Sequence, residues 1–226
     1  MTTVTTTDND KLALLGLNPE RLPAPDDLVT GSLGRLRAMM PRRPLGIREA
    51  ESIAERQAGR LRAELGMLGP QLKESDLATL PWLAITRRDI FPTSGLAMKT
   101  DYGWVIVLRS SEAKVRQRFS LAHEIKHCLD DPFIDGLYPA VGGYGSDERT
   151  ERICDRFAAA LLMPRVMLRA DWADGLQDVA QLARRYDVSR AAMQIRLTQL
   201  GLLEPTPRCD VAARRPTTHH PKEVST

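Results

Sequence analysis

Arg118-Phe119-Ser120-Leu121-Ala122-His123-Glu124-Ile125-Lys126-His127-Cys128-Leu129 is the stretch around which the rest of this 226-residue chain is organised. On a helix, His123 and His127 share a face one turn apart, so both can grip one metal ion while Glu124 reaches a water on that ion. With four His and 29 acidic residues in 226 positions, chance supplies fewer than about 0.01 such His-Glu-x-x-His patterns. The pattern therefore predicts a metal-binding helix.

Working outward, the composition is that of a folded globular chain. A hydrophobic fraction of 42% with 27% charged residues argues against wholesale disorder. No apolar run approaches the roughly 18 residues needed to span a bilayer, and the Thr-rich, acidic start from Met1 to Asp10 lacks a basic region followed by an apolar one. A cytoplasmic protein with no membrane contact is expected. Cys128, Cys154 and Cys209 form no paired framework or zinc-type spacing, which fits a reducing compartment; the first two read as small apolar residues on helices. A net charge of +3 is too slight to imply nucleic acid.

The organisation expected along the chain is α+β. Residues 1–45, with Pro23, Pro25, Pro41 and Pro44, read as a flexible arm with one short helix near Leu33 to Met40. Residues 46–170 read as the core. In it, Ala50, Ile53, Ala54, Ala58, Leu61 and Leu65 recur at helical spacing. Short apolar strands at Trp82 to Ile85, Leu96 to Lys99 and Trp104 to Leu108, the last two joined by Asp101-Tyr102-Gly103, predict a small antiparallel sheet before the motif helix, itself expected from about Lys114 to Leu129. Asp131 to Gly145 reads as a loop. A further helix is expected from Asp147 to Met163, stopped by Pro164. In residues 171–204, two short amphipathic helices, Leu176 to Tyr186 and Arg190 to Leu200, with Ser189 as N-cap of the second, read as a helix-turn-helix-like pair. Residues 205–226 read as a disordered tail.

Two His leave a catalytic zinc site one protein ligand short. A His in the pattern xxGxxH after His127 is excluded, since Asp130 and Phe133 occupy the Gly and His positions. The remaining His219 and His220 lie in the tail. Asp131 shares a face with His127 but would stand roughly 12 Å along the axis from His123. The third ligand must come from another element, and the helix from Asp147 offers Asp147, Glu148, Glu151 and Asp155. If Glu151 binds the metal, Asp155 lies one turn on, where it can accept a hydrogen bond from a ligating His; Glu148 is the alternative ligand.

The segments Arg118 to His127 and Glu151-Arg152-Ile153-Cys154-Asp155-Arg156-Phe157-Ala158-Ala159-Ala160-Leu161-Leu162-Met163-Pro164 together resemble the ImmA/IrrE family of metallopeptidases. Ser94-Gly95-Leu96 and the apolar strand before Arg118 are similar too, so the resemblance covers roughly residues 47–203. It implies a mainly helical zincin-like core, with His123, His127 and Glu151 holding zinc, or manganese or another divalent ion, and Glu124 as catalytic base. Asp155 stands where the family more often has Asn. The resemblance also implies a protein substrate, a separately encoded helix-turn-helix repressor whose cleavage switches on stress-response or mobile-element genes. Tyr138 and Tyr144, on the loop after the motif helix, are the candidate donors to the oxyanion of the tetrahedral intermediate. Two other readings compete: a metal-bound regulator that binds the repressor without cutting it, and a DNA-binding protein using Arg184, Arg185, Arg190 and Arg196 on the C-terminal pair.

Overall fold

The computed structural model describes residues 31–89, 93–140 and 145–204, together with Ala13 and Gly16. The chain is α+β, with three strands set among helices. The first helices are α1 (Ser32–Arg37), α2 (Ile47–Glu64) and the short α3 (Glu74–Leu77). Strands β1 (Leu83–Arg88), β2 (Gly95–Thr100) and β3 (Gly103–Arg109) follow, then α4 (Lys114–Asp130), which carries the His-Glu-x-x-His motif. A 3-10 turn at Asp131–Phe133 leads into α5 (Ile134–Leu137). The chain continues through α6 (Ser146–Leu162), α7 (Arg165–Ala173), α8 (Val179–Tyr186) and α9 (Arg190–Gln199). The arm over 1–30, Ala13 and Gly16 aside, and the tail over 205–226 lie outside the described residues.

The sheet is mixed rather than antiparallel. β2 and β3 form the expected hairpin, pairing Thr100 with Gly103, but β1 lies on the far side of β3 and runs parallel to it, pairing Leu83 with Trp104. The reason lies in β3: Trp104 to Leu108 are all buried, so this strand needs a neighbour along each edge. Strand order is a non-local choice that the alternation within each strand does not encode. Gly103, at φ +126°, closes the hairpin in a conformation that favours glycine.

Helix α4 packs on the sheet and on α6, and α2 packs on α6 and reaches α4 through Gln57 and Lys126. The apolar face predicted for α2 is the one it buries: Ala50, Ile53, Ala54, Ala58 and Leu61 are all at 1% exposure or less. On α6, the buried Ala158, Ala159 and Ala160 are small enough to let neighbouring helices approach closely, and Phe157 and Leu161 are fully buried beside them.

Three segments depart from expectation. Residues 32–45, expected as part of a flexible arm, are packed: Leu33, Leu36 and Leu45 are buried, the Trp82 indole donates to Ser32 Oγ at 2.9 Å, and Arg37 Nη2 donates to the Cys128 carbonyl at 2.7 Å. The loop expected over 131–145 contains the 3-10 turn and α5, and α7 forms where no helix was expected. Short helices of this kind are stabilised by packing more than by local propensity, here through Leu137 and Leu168, both buried.

Beneath the motif face, α4 buries charge. Lys126 and Asp130 are fully buried, with Lys126 Nζ 2.6 Å from Asp130 Oδ1 and 2.9 Å from Gln57 Oε1, while the Tyr138 hydroxyl donates to Asp130 Oδ2 at 2.7 Å. Asp130→Ala strands the ammonium and the hydroxyl together, and a loss of about 3–5 kcal/mol in unfolding free energy is expected by denaturant titration. Lys126→Met combined with Asp130→Leu should cost less than the single change, because no charge is then left unpaired.

Candidate metal centre

Four residues meet where the exposed edge of α4 faces α6. Periodicity puts His123 and His127 one turn apart on α4, and their Nε2 atoms approach to 3.2 Å. Glu151 of α6 spans both imidazoles, with Oε2 3.2 Å from His123 Nε2 and Oε1 3.3 Å from His127 Nε2. One turn further along α6, Asp155 Oδ1 lies 2.9 Å from His123 Nδ1. That hydrogen bond places a proton on Nδ1 of the neutral ring and leaves the Nε2 lone pair turned toward His127 and Glu151.

This donor set fits one divalent ion. Two donors each about 2 Å from one tetrahedral ion stand about 3.3 Å apart; the two Nε2 atoms stand 3.2 Å apart, and each has a different oxygen of the Glu151 carboxylate beside it, at 3.2 and 3.3 Å. The electrostatics agree with that fit. Burial alone would lower the His123 pKa, but its hydrogen bonds to Asp155 and Glu151 outweigh burial and raise it to about 9. Glu151 is held well below the ordinary carboxylate range by its hydrogen bonds to His123 and His127. Without an ion, then, the pocket attracts protons to the place where an ion fits.

Cys154 also comes close, its Sγ lying with ring nitrogens of His123 and His127 inside a 4.8 Å cluster. Sequence reasoning took it only as a small apolar residue; its place three residues after Glu151 on the same helix was the available signal. It is fully buried, and burial pushes its thiol far above the ordinary range, so it faces the imidazoles as a neutral thiol. The Glu151 carboxylate, by contrast, is already ionised and is half-exposed.

Glu124 lines the same cleft, a space of about 770 Å³ bounded by β2, α4, α6 and α9. Burial raises its pKa, His127 and His123 pull it back in part, and the backbone N–H of Ala97 on β2 hydrogen-bonds its carboxylate. Gly95, another residue whose role the sequence did not disclose, sits against it: a Cβ at this position would come within 2.9 Å of Glu124 Cγ and Oε1. Gly95→Ala should therefore push the carboxylate aside. A displacement of about 1 Å in a catalytic group can cost about 100-fold, so turnover should fall steeply while bound metal per chain, measured by elemental analysis, stays at the wild-type value.

The remaining candidates lie elsewhere. Tyr138 is 2% exposed, gives its hydroxyl to Asp130, and does not line the cleft; the structure does not bring it to the site. Tyr144 lies outside the described residues. Glu148 accepts from the backbone N–H of Gly145 at 3.2 Å and serves as the N-terminal cap of α6.

Residues 83–198, from β1 through α9, match the IrrE N-terminal-like domain of peptidase family M78. That span is just over half of the 226 residues, and the chain belongs to the ImmA/IrrE family. Two curated relatives are radiation response metalloproteases IrrE. The Deinococcus deserti protein is 40% identical over 38% of this chain and 32% of its own length. The Deinococcus radiodurans protein is 35% identical over 42% of this chain and 31% of its own. The chain thus spans about a third of the length of the relatives it matches. Among solved structures, a Mycobacterium tuberculosis transcriptional regulator aligns with a TM-score of 0.48 at 16% identity, over 74% of this chain and 51% of that one, a likeness too slight to define a shared fold. Among the described residues, no helix is long and apolar enough to cross a membrane.

Proposed function

We propose that this protein is a zinc-type endopeptidase of the cytoplasm, with a zincin-like core over 46–170 and a helix-turn-helix-like subdomain over 171–204. Its substrate is a separately encoded helix-turn-helix repressor, whose cleavage releases stress-response or mobile-element genes. The observation that carries this reading is the convergence of the His123 and His127 Nε2 atoms on the Glu151 carboxylate, with Glu124 lining the same cleft.

In this reading His123, His127 and Glu151 hold the ion, zinc or another divalent metal such as manganese, and Asp155 fixes the tautomer and orientation of His123. When bound, the ion supplies Lewis acidity that polarises a peptide carbonyl and acidifies water. Glu124 takes the proton of the attacking water on its carboxylate and passes it to the leaving nitrogen as the C–N bond breaks. Its raised pKa makes it a stronger base than an exposed carboxylate, and the Ala97 N–H keeps it aimed. β2 is an edge strand of the sheet. Ser94 accepts from Arg109 across the hairpin, so Gly95, Ala97 and Lys99 turn their backbone groups toward the open edge; the Ala97 N–H there is taken by Glu124, and the remaining groups can pair with an extended substrate as a further strand.

Two of the four Arg that a DNA-binding role would use are engaged within the protein. Arg196 is fully buried, donating to the Met163 carbonyl and Glu55, and Arg185 pairs with Asp171 at 2.8 Å. The test of the peptidase reading is incubation of the zinc-loaded chain with the repressor encoded beside it. Discrete fragments by mass spectrometry, abolished by a chelator, are expected. An intact repressor under conditions that induce the operon sinks the proposal.

A further inference from the structure

Beside its imidazoles and carboxylates the cleft also carries a group of apolar side chains, set among Arg116, Ser120, Ser189 and Gln199. Along α4, Val115, Phe119, His123 and His127 follow one another at four-residue intervals and all line it, so the helical stripe that carries both imidazoles is apolar in its N-terminal half. Phe119 stands one turn, about 6 Å along the axis, from His123. Facing this stripe across the cleft are Val188, Ala192 and Ile195 of the C-terminal pair. Ile195 is 59% exposed; among the exposed large hydrophobic side chains of the described residues, which also include Leu68, Leu96 and Val166, it is the one that lines the cleft.

The wall that presents Ile195 is fixed in place. Arg118 of α4 pairs with Asp187 at 2.6 Å, and Asp187 is held at positive φ, +52°, between α8 and α9. Next to Ile195 on α9, buried Arg196 donates to the Met163 carbonyl at 3.1 Å and to Glu55 at 2.8 Å. An apolar recess held open by ion pairs beside a hydrolytic centre keeps apolar surface in water until a ligand covers it.

We propose that this recess selects a large apolar side chain of the substrate within about two residues of the cut bond, an extended chain advancing about 3.3 Å per residue, and that Ile195 is its specificity-determining residue. The inference rests on the peptidase reading given above. Against Phe119 and Ile195 themselves a charged side chain would lose water without gaining a partner, so an apolar one is favoured there, although Arg116 lines the same cleft.

The test uses the full zinc-loaded chain and a pool of short peptides randomised at their central positions, read by mass spectrometry as peptides cut by the wild type and as peptides retained by Glu124→Gln. Leu, Ile, Met or Phe should be enriched about tenfold over Asp at one position, in both the cut and the retained sets. Ile195→Asp, an exposed change that should leave the fold intact, should abolish that enrichment and admit Lys or Arg instead, with bound zinc unchanged. The same apolar enrichment in Ile195→Asp as in wild type, or none in wild type, overturns the subsite even if cleavage occurs. Apolar enrichment in the retained set that Ile195→Asp abolishes, with no peptide cut by wild type, upholds the subsite and overturns the peptidase reading.

Discussion

Glu124→Gln should lower the turnover of a cleavable protein by about 100-fold to 10,000-fold, the range supplied by a positioned general base, and leave the metal content unchanged. The amide keeps the shape of the carboxylate, and its oxygen can still accept from the Ala97 N–H, but it cannot take a proton at neutral pH. Because Glu124 is not among the His123, His127 and Glu151 groups that converge within 3.2–3.3 Å, the ion site should persist. Measured together, rate and metal stoichiometry separate the peptidase from a regulator that only binds its partner. A binder would lose neither activity nor partner, whereas a peptidase would retain the partner and stop cutting it. A rate within a few-fold of wild type would move the base to another residue.

The local parts of this molecule were legible in its sequence, and the parts set by distant segments were not. The apolar spacing of Ala50 to Leu61 specified α2, the 123–127 motif specified the face of α4, and Ser189 capped α9 through the Ala192 N–H, because each depends on neighbours within a turn. The position of β1 beside β3 and the packing of Leu33 and Leu36 against the core depend on which buried surfaces find one another, which no short window contains. The centre divides in the same way. His123, Glu124 and His127 are fixed within one helix. Glu151 reaches them only because α6 packs on α4, and Gly95 meets Glu124 only because β2 lies alongside. Tyr138 shows the converse: near in sequence to the motif helix, it is drawn away from the cleft by Asp130.

Removing Glu151 should affect metal binding more than removing Asp155, and the two changes should differ in pH dependence. Asp155→Ala takes away a hydrogen bond that orients a ligand, a change that typically costs about 10–100-fold in affinity; Glu151→Ala removes a donor and should exceed that range. In wild type the ion competes with a proton on His123, whose pKa is raised to about 9. Apparent affinity should therefore climb about tenfold per pH unit below that value, one proton leaving for each ion bound. Asp155 is among the groups holding His123 protonated, so Asp155→Ala should weaken binding most at high pH and least at low pH, where easier loss of the proton offsets the lost orientation. The stability of the ion-free protein should run the other way. A raised His123 pKa contributes stability that is complete below its ordinary value of 6.5 and lost as pH rises through about 9. The depressed Glu151 contributes stability that is present above its ordinary 4.5 and lost only under strong acid. Between about pH 6.5 and 9 the ion-free chain thus weakens as its affinity for metal grows, so the stabilisation produced by added zinc, read as a shift in Tm, should widen steadily across that interval and narrow in Asp155→Ala.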